Sequence, residues 1–248
     1  CMFELKLANA KYWKSCVEAI VNLVDEGSFV INSDGISLKA MDPSSISMVS
    51  FNMPKKAFEK FSVDKETTIG LNLENFNKIL SRTRDDESLL MKDSNGKLLL
   101  EFAGQSGKRR YRLQLIDVRK GVEKEPNVNF EAVSEIFGDP LKEIIKDASL
   151  ISSYVMFKAS KEGLTITAHG DSGELEELHE ANGQIIKKLE VSKPAEATFN
   201  LEYLENMVKA CPIGNTVSMY LKTSEPLKLS YNIGDASVTY YLAPYIES

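Results

Sequence analysis

The sequence predicts an α+β protein built from two copies of one module, with helices on one face of antiparallel sheets. Three observations predict it. Residues recur at a constant offset of 128, each copy holds two amphipathic stretches of helical period, and the segments between them are short and punctuated by Gly-containing turns.

The repeat comes first because it organises the rest. Phe29 to Ala40 (FVINSDGISLKA) falls on Phe157 to Ala168 (FKASKEGLTITA), with Gly35 on Gly163. Asn72-Leu73-Glu74 falls on Asn200-Leu201-Glu202, and Lys14 on Lys142, at the same offset. Tyr111-Arg112-Leu113 meets Tyr240-Tyr241-Leu242 at 129, which needs one inserted residue.

The first helix is predicted from Asn9 to Asp25, with Trp13, Cys16, Val17, Ile20 and Val24 inward and Lys11, Lys14, Glu18 and Asn22 on other faces. The second follows Asn72, with Leu73, Phe76, Ile79 and Leu80 inward and Lys78 and Arg82 outward. The third follows Asp139-Pro140, a cap and a first-turn proline; it buries Leu141, Ile144, Ile145 and Ala148 and exposes Lys142 and Lys146. The fourth follows Asn200, with Leu201, Leu204, Val208 and Cys211 inward. Asn9, Asn72, Asp139 and Asn200 each offer a side-chain oxygen to an otherwise free helix N–H. Asn32 to Gly35, Asp93 to Gly96 and Ser160 to Gly163 read as hairpin loops, and Leu98 to Phe102 and Ser237 to Leu242 as strands. The copies span 2–116 and 132–248. The charged, Gly- and Pro-containing stretch 117–131 (DVRKGVEKEPNVNFE) is the exposed connector.

Composition excludes several classes. At 43% hydrophobic and 27% charged, the 248 residues are too apolar for disorder and too charged for a membrane protein. No run approaches the length of a membrane span, and Cys1 to Lys6 lacks the basic start and apolar core of a signal peptide. Cys1, Cys16 and Cys211 form no CxxC, which argues against a disulfide framework or zinc site and for a reducing, intracellular compartment. A net charge of −6 means that any contact with DNA must use positive charge concentrated on one surface.

Three catalytic-looking strings fail on their chemistry. Gly170-Asp171-Ser172-Gly173 suggests the nucleophile loop of chymotrypsin-like proteases, yet His169 and His179 are the only histidines and neither lies upstream where that family's chain order needs the base. Gly104-Gln105-Ser106-Gly107-Lys108 suggests a phosphate-binding loop, but Phe102 stands where its first glycine belongs and Arg109 where the magnesium ligand does. The two histidines lack converging ligands for a metal, and Asp85-Asp86 reads as solvated loop.

With the repeat and connector, several strings resemble the DNA sliding clamp family in its archaeal proliferating cell nuclear antigen form. They are Met2-Phe3-Glu4, Met41-Asp42-Pro43-Ser44, Ile69-Gly70-Leu71-Asn72-Leu73, Lys146-Asp147-Ala148-Ser149-Leu150 and Leu242-Ala243-Pro244. The resemblance implies three chains closing head to tail into a ring, with helices lining the hole and sheets outside. Such a ring encircles duplex DNA and tethers DNA polymerase and other replication and repair proteins; a clamp loader opens it. It implies no enzyme activity, cofactor or membrane. It implies residence in the archaeal cytoplasm or nucleoid, or in the nucleus of a eukaryote. The alternative of the same fold is one subunit of a heterotrimeric or checkpoint-type clamp.

Residues follow for each role. The helices carry eight basic side chains, Lys11, Lys14, Lys78, Arg82, Arg84, Lys142, Lys146 and Lys209, against eight acids. The candidate DNA surface is those eight cations. Most lie off the apolar stripes, and no base-reading motif accompanies them, so contact is to phosphate. Lys108-Arg109-Arg110-Tyr111-Arg112 is a basic strand and Glu174-Leu175-Glu176-Glu177-Leu178 an acidic one. The family pairs edge strands from these regions across the subunit boundary, a contact that generates a ring if the rotation closes. Arg82 and Arg84 are placed to face Glu143 and Asp147 there. The family's partners dock a short peptide. Matching positions are Met41, Ser45, Ile46 and Met48, Val122, Pro126 and Val128 in the connector, then Pro226 and Tyr241, Leu242, Ala243, Pro244, Tyr245 and Ile246. Tyr245 departs from the family pattern, in which a basic residue follows that proline.

Overall fold

The computed structural model describes residues 1–118 and 124–247. The chain divides into two compact units. One holds Cys1–Pro43, Val49–Glu123 and Ile233–Val238; the other holds Ser44–Met48, Lys124–Asn232 and Thr239–Ser248.

In chain order the first copy runs β1 (Phe3–Leu7), α1 (Ala10–Val21), β2 (Glu26–Asn32), β3 (Gly35–Met41), β4 (Ser47–Pro54), β5 (Lys60–Val63), β6 (Thr67–Asn72), α2 (Leu73–Leu80), β7 (Ser88–Ser94), β8 (Lys97–Gly104) and β9 (Gly107–Gln114). The second repeats the order: β10 (Ala132–Phe137), α3 (Gly138–Ser149), β11 (Tyr154–Ser160), β12 (Gly163–Gly170), β13 (Gly173–Glu180), β14 (Ile186–Val191), β15 (Ala195–Asn200), α4 (Leu201–Val208), β16 (Thr216–Leu221), β17 (Leu227–Ile233) and β18 (Ala236–Leu242). Helices α1 and α3, and α2 and α4, begin 128 residues apart, as the repeat requires.

In the first unit β5-β1-β7-β8-β9 form a five-stranded sheet with β9 at its edge, and β6, β2, β3 and β4 are neighbours in that order. In the second, β13-β12-β11-β15 form a four-stranded sheet with β13 at its edge, and β14, β10, β16 and β17 are neighbours. Antiparallel pairing joins β8 to β9 and β12 to β13. The helices pack in pairs, α1 on α2 and α3 on α4. Beneath α1 the buried Trp13 ring meets Phe29, Phe51 and Phe76 at centroid distances of 5.6, 6.3 and 6.3 Å. The second core holds a polar pair: the buried Tyr231 hydroxyl donates to Met207 O at 2.7 Å and lies 3.0 Å from the Tyr240 hydroxyl. Both tyrosine hydroxyls, taken from water, thus have a partner.

The Asn caps form as predicted. Asn9, Asn72 and Asn200 accept from the amides of Lys11, Asn75 and Glu202 at 3.0, 2.9 and 2.9 Å. Three expectations need correction. Helix α1 ends at Val21, short of Asp25, while Val24 stays buried because its amide still turns back to Ile20 O at 3.2 Å. Helix α4 ends at Val208, and Cys211 is buried in the turn that follows. Asp139 does not cap α3: β10 runs directly into the helix, Phe137 takes the cap position, and the Asp139 carboxylate accepts from Gly214 N at 3.1 Å. Gly138 permits this close entry, since a Cβ there would stand 2.8 Å from Cys211 Sγ.

Candidate functional site

Three surfaces arise from these elements. The first is the solvent face of the helices. In the first unit Lys11, Lys78, Arg82 and Arg84 are exposed and Lys14 is half-buried. Lys11 is ion-paired with Asp85, and Lys14 lies 3.9 Å from Glu18 one turn on. In the second unit Lys146 and Lys209 are exposed, with Lys146 3.5 Å from Glu143. Among the described residues Lys78, Arg82 and Lys209 have no ion-pair partner, so their charges are least compensated locally. Lys142 corrects the prediction of exposure. Its ammonium folds back and donates to Cys211 O at 2.8 Å, 3.9 Å from Asp139. That lysine satisfies a carbonyl past the end of α4, a bond that helical periodicity gives no means of foreseeing.

The second surface is the pair of sheet edges. Strand β9 alternates: Lys108, Arg110 and Arg112 are exposed while Arg109, Tyr111 and Leu113 turn toward the sheet. Arg110 Nε donates to Glu101 Oε2 at 2.6 Å, and that bond leads in holding the Glu101 carboxyl below its ordinary range despite partial burial. Arg109, expected at the subunit boundary, is half-buried and engaged within its own unit. Its guanidinium binds Glu87 through Nη2–Oε1 at 2.5 Å and Nε–Oε2 at 3.3 Å, and lies 4.8 Å from the Phe102 centroid. On β13, Glu174, Glu176, Leu178 and Glu180 are exposed; the inward Glu177 lies 3.0 Å from the His179 ring. Glu143 and Asp147 are exposed along α3. Glu87 and Glu101 were missed in the sequence. Glu101 had a signal, an acid interrupting the apolar run Leu98 to Phe102; Glu87 had none.

The third surface is the predicted peptide groove. In the second unit Ser45, Ile46, Ala243, Tyr245 and Ile246 are exposed, and Pro126, Val128, Pro226 and Pro244 half-buried. Met48, Tyr241 and Leu242 are buried, at 4%, 6% and 1% exposure, so they back this surface and do not present themselves on it. Met41 is exposed in the first unit, and Val122 lies outside the described residues. Main-chain bonds anchor the tail: Ala243 N to Ile46 O at 2.8 Å and Tyr245 N to Thr198 O at 2.7 Å. The Tyr245 ring stacks on Tyr154 with centroids 3.8 Å apart. The tail leaves a cleft of about 210 Å³ against β15.

The rejected motifs are ordinary turns. Gly170 to Gly173 closes the β12–β13 hairpin and Gly104 to Gly107 the β8–β9 hairpin. The His169 ring lies 3.3 Å from Glu174. Among the described residues no hydrogen bond joins Ser172 to either histidine, no three potential metal ligands converge, and no helix is long and apolar enough to cross a membrane.

Comparison with known proteins places these surfaces in context. The family model for the proliferating cell nuclear antigen N-terminal domain matches residues 2–124, and that for the C-terminal domain matches 124–246. Two relatives, each called DNA polymerase sliding clamp, come from Thermofilum pendens and Thermococcus gammatolerans. The first is 32% identical over 99% of this chain and 100% of its own length, the second 34% over 99% of each. Among solved structures, that of the Thermococcus kodakaraensis protein superposes with a TM-score of 0.93 at 26% identity, covering 98% of this chain and 100% of its own. A structure described as the C-terminal region of FEN-1 bound to A. fulgidus PCNA does so at 0.90 and 27%, covering both chains fully.

Proposed function

The chain belongs to the proliferating cell nuclear antigen family, and on that premise we propose how it works as a DNA sliding clamp. Copies of it close head to tail around duplex DNA and hold DNA polymerase, a FEN-1 protein and other clients bearing a clamp-binding peptide at the template. The role is that of a processivity factor with no reaction of its own, carried out inside the cell where the DNA is. Its relatives are mostly archaeal, which favours the cytoplasm and nucleoid.

The observation that carries self-assembly is the opposite charge of two free sheet edges in one chain. Strand β9 presents Arg110 and Arg112, and β13 presents Glu174 and Glu176. A contact of β9 with β13 of the next copy is heterologous, so it propagates around a ring. Arg82 and Arg84 meet Glu143 and Asp147 of the neighbour at the same boundary. Residues 2–116 and 132–248 serve as the two clamp domains, with 117–131 connecting them. Lys11, Lys14, Lys78, Lys146 and Lys209 touch phosphates loosely, which suits sliding because topology supplies retention. Ser45, Ile46, Pro126, Val128, Pro244, Tyr245 and Ile246 receive client peptides, with the Met48, Tyr241 and Leu242 side chains behind them.

Light scattering on a size-exclusion column tests assembly: the expected mass is three times 27.7 kDa, about 83 kDa. A chain that stays at 27.7 kDa at micromolar concentration refutes the homotrimer. A 1:1:1 complex formed only with sister chains indicates the heterotrimeric alternative. Primer extension on closed circular against linear template then tests encirclement. Stimulation must survive on the circle and fade where the ring slides off an open end.

A further inference from the structure

The ring reading leaves a buried carboxylate unexplained. Glu87 is 2% exposed, sits in the loop between α2 and β7, and is neither on a helix face nor on an edge strand. Burying a carboxylate is costly unless its lone pairs are filled. Here they are filled from both sides. From β9, Arg109 binds both oxygens in a fork, at 2.5 and 3.3 Å. From its own loop, Arg84 N donates to Oε1 at 2.7 Å, and Arg84 Nη1 lies 3.7 Å from Oε2.

The same guanidinium reaches further. Arg109 Nη2 also contacts Arg82 O at 3.3 Å, and Nη1 the Tyr111 hydroxyl at 3.3 Å. Glu87 O accepts from Ala10 N at 2.8 Å, which fixes the loop to the start of α1, where Lys11 pairs with Asp85. Arg82 and Arg84 thus project from a loop pinned at three places. Neither side chain packs into the core, and both are exposed. Arg109 is the least available of the three, with its side chain 24% exposed and its donors spent at home.

We infer that the Glu87–Arg109 pair is a positioning staple, which holds the 81–87 loop against the edge strand β9 so that Arg82 and Arg84 are presented, pre-ordered, to the neighbouring subunit. This rests on the reading of those arginines as boundary residues and adds how they are aimed. It also reassigns Arg109, whose contribution to assembly passes through the loop. Long exposed side chains lose part of any ion-pair gain to ordering, and a loop already fixed lowers that cost.

The test is a set of variants of the full chain, assayed for the concentration of half-assembly by light scattering at fixed pH and moderate salt. Glu87→Gln keeps the shape and removes the charge. It is expected to raise that concentration about tenfold, the scale of weakening the two exposed ion pairs that Arg82 and Arg84 would make. The decisive arm combines it with R82Q/R84Q. Because the staple acts through those arginines, E87Q is expected to add nothing in that background. E87Q is also expected to speed hydrogen exchange of the Arg84 amide in the dissociated chain, and Glu87→Asp to restore part of the assembly. R109Q attacks the staple from the other strand and is expected to reproduce E87Q, which covers the case of E87Q failing to fold. Equal assembly of E87Q and the unmodified chain overturns the staple, as does an E87Q loss that persists undiminished in R82Q/R84Q. If R82Q/R84Q alone assembles normally, the boundary reading fails first and the staple with it.

Discussion

Gly163→Ala probes the acidic edge through the backbone alone. Gly163 has φ +152°, a conformation that L side chains rarely adopt, and a Cβ there would stand 2.0 Å from His179 O and 3.0 Å from Glu180 Cα. Both obstacles are main-chain atoms of β13, so no rotamer change relieves them. The carbonyl must retreat by more than an ångström to reach ordinary contact, which pulls the end of β13 off β12. The forced φ costs about 1–2 kcal/mol, and each disturbed ladder bond adds about 1 kcal/mol. The total is about 3 kcal/mol, or a fall in melting temperature of about 10 °C for a unit of this size.

The repeat supplies the control. Gly35 has φ +151°, and its added Cβ would stand 2.1 Å from Met53 O. Gly35→Ala thus carries a similar strain in the first unit but leaves β13 alone. Calorimetry is expected to show comparable destabilisation for both variants, whereas light scattering is expected to show weakened assembly for Gly163→Ala well beyond that for Gly35→Ala. A Gly163→Ala protein that melts within about 2 °C of the unmodified chain refutes the strain argument. Equal loss of assembly by the two refutes the assignment of β13 to the boundary.

Three further outcomes are expected. Lys142→Met removes the bond to Cys211 O and is expected to lower stability to urea by about 1 kcal/mol with unchanged DNA affinity, whereas Lys209→Glu is expected to weaken DNA binding and flatten its log–log salt slope by about 1; equal slopes for the two would return Lys142 to the DNA face. Burial pushes the Glu87 carboxyl up, but hydrogen bonds from Arg109 and the Arg84 amide outweigh it and hold it below its ordinary range. A depressed folded value stabilises the fold above the unfolded carboxylate pKa of about 4.3 and loses that contribution as pH falls through the folded value, so urea midpoints are expected to drop on acidification and to drop less in E87Q. Tyr154→Ala removes the stack beneath Tyr245 and is expected to weaken a client peptide several-fold by calorimetric titration, because the loosened tail must be re-ordered on binding; an unchanged Kd counts against the tail as part of the groove.

The parts of the fold legible in the sequence were those fixed by local chemistry. An Asn before an apolar helical stripe caps it wherever the fold puts it, and all three did so. Gly35 and Gly163 marked the repeat because the two hairpins share one backbone demand. What failed depended on neighbours distant in sequence. Val24 and Cys211 keep the apolar period of their helices although the helices have ended, since a buried turn preserves the pattern. Asp139 had the right type and place for a cap, but Gly214, 75 residues on, claimed its carboxylate. The aim of Lys142 was likewise decided by a carbonyl 69 residues away.

The edge strands show how far charge alone can be read. In Lys108 to Arg112 four of five residues are basic, so the string offers no contrast from which to tell the inner face from the outer. The deciding clue lies on β8, where Glu101 pairs across to Arg110 and Phe102 to Arg109 in the ladder. The acidic strand is more explicit once its faces are known. Its exposed side runs Glu174, Glu176, Leu178, Glu180, and Leu178 is 69% exposed. Three carboxylates suffice to keep a free edge from pairing, and a leucine among them works against that. A leucine flanked by acids instead has the composition of an interface, an apolar centre with a charged rim. On the ring reading its place is against the basic edge of the next copy, where Arg110 and Arg112 meet the acids and the leucine leaves water. The cost of an exposed leucine in the single chain is then recovered on closure.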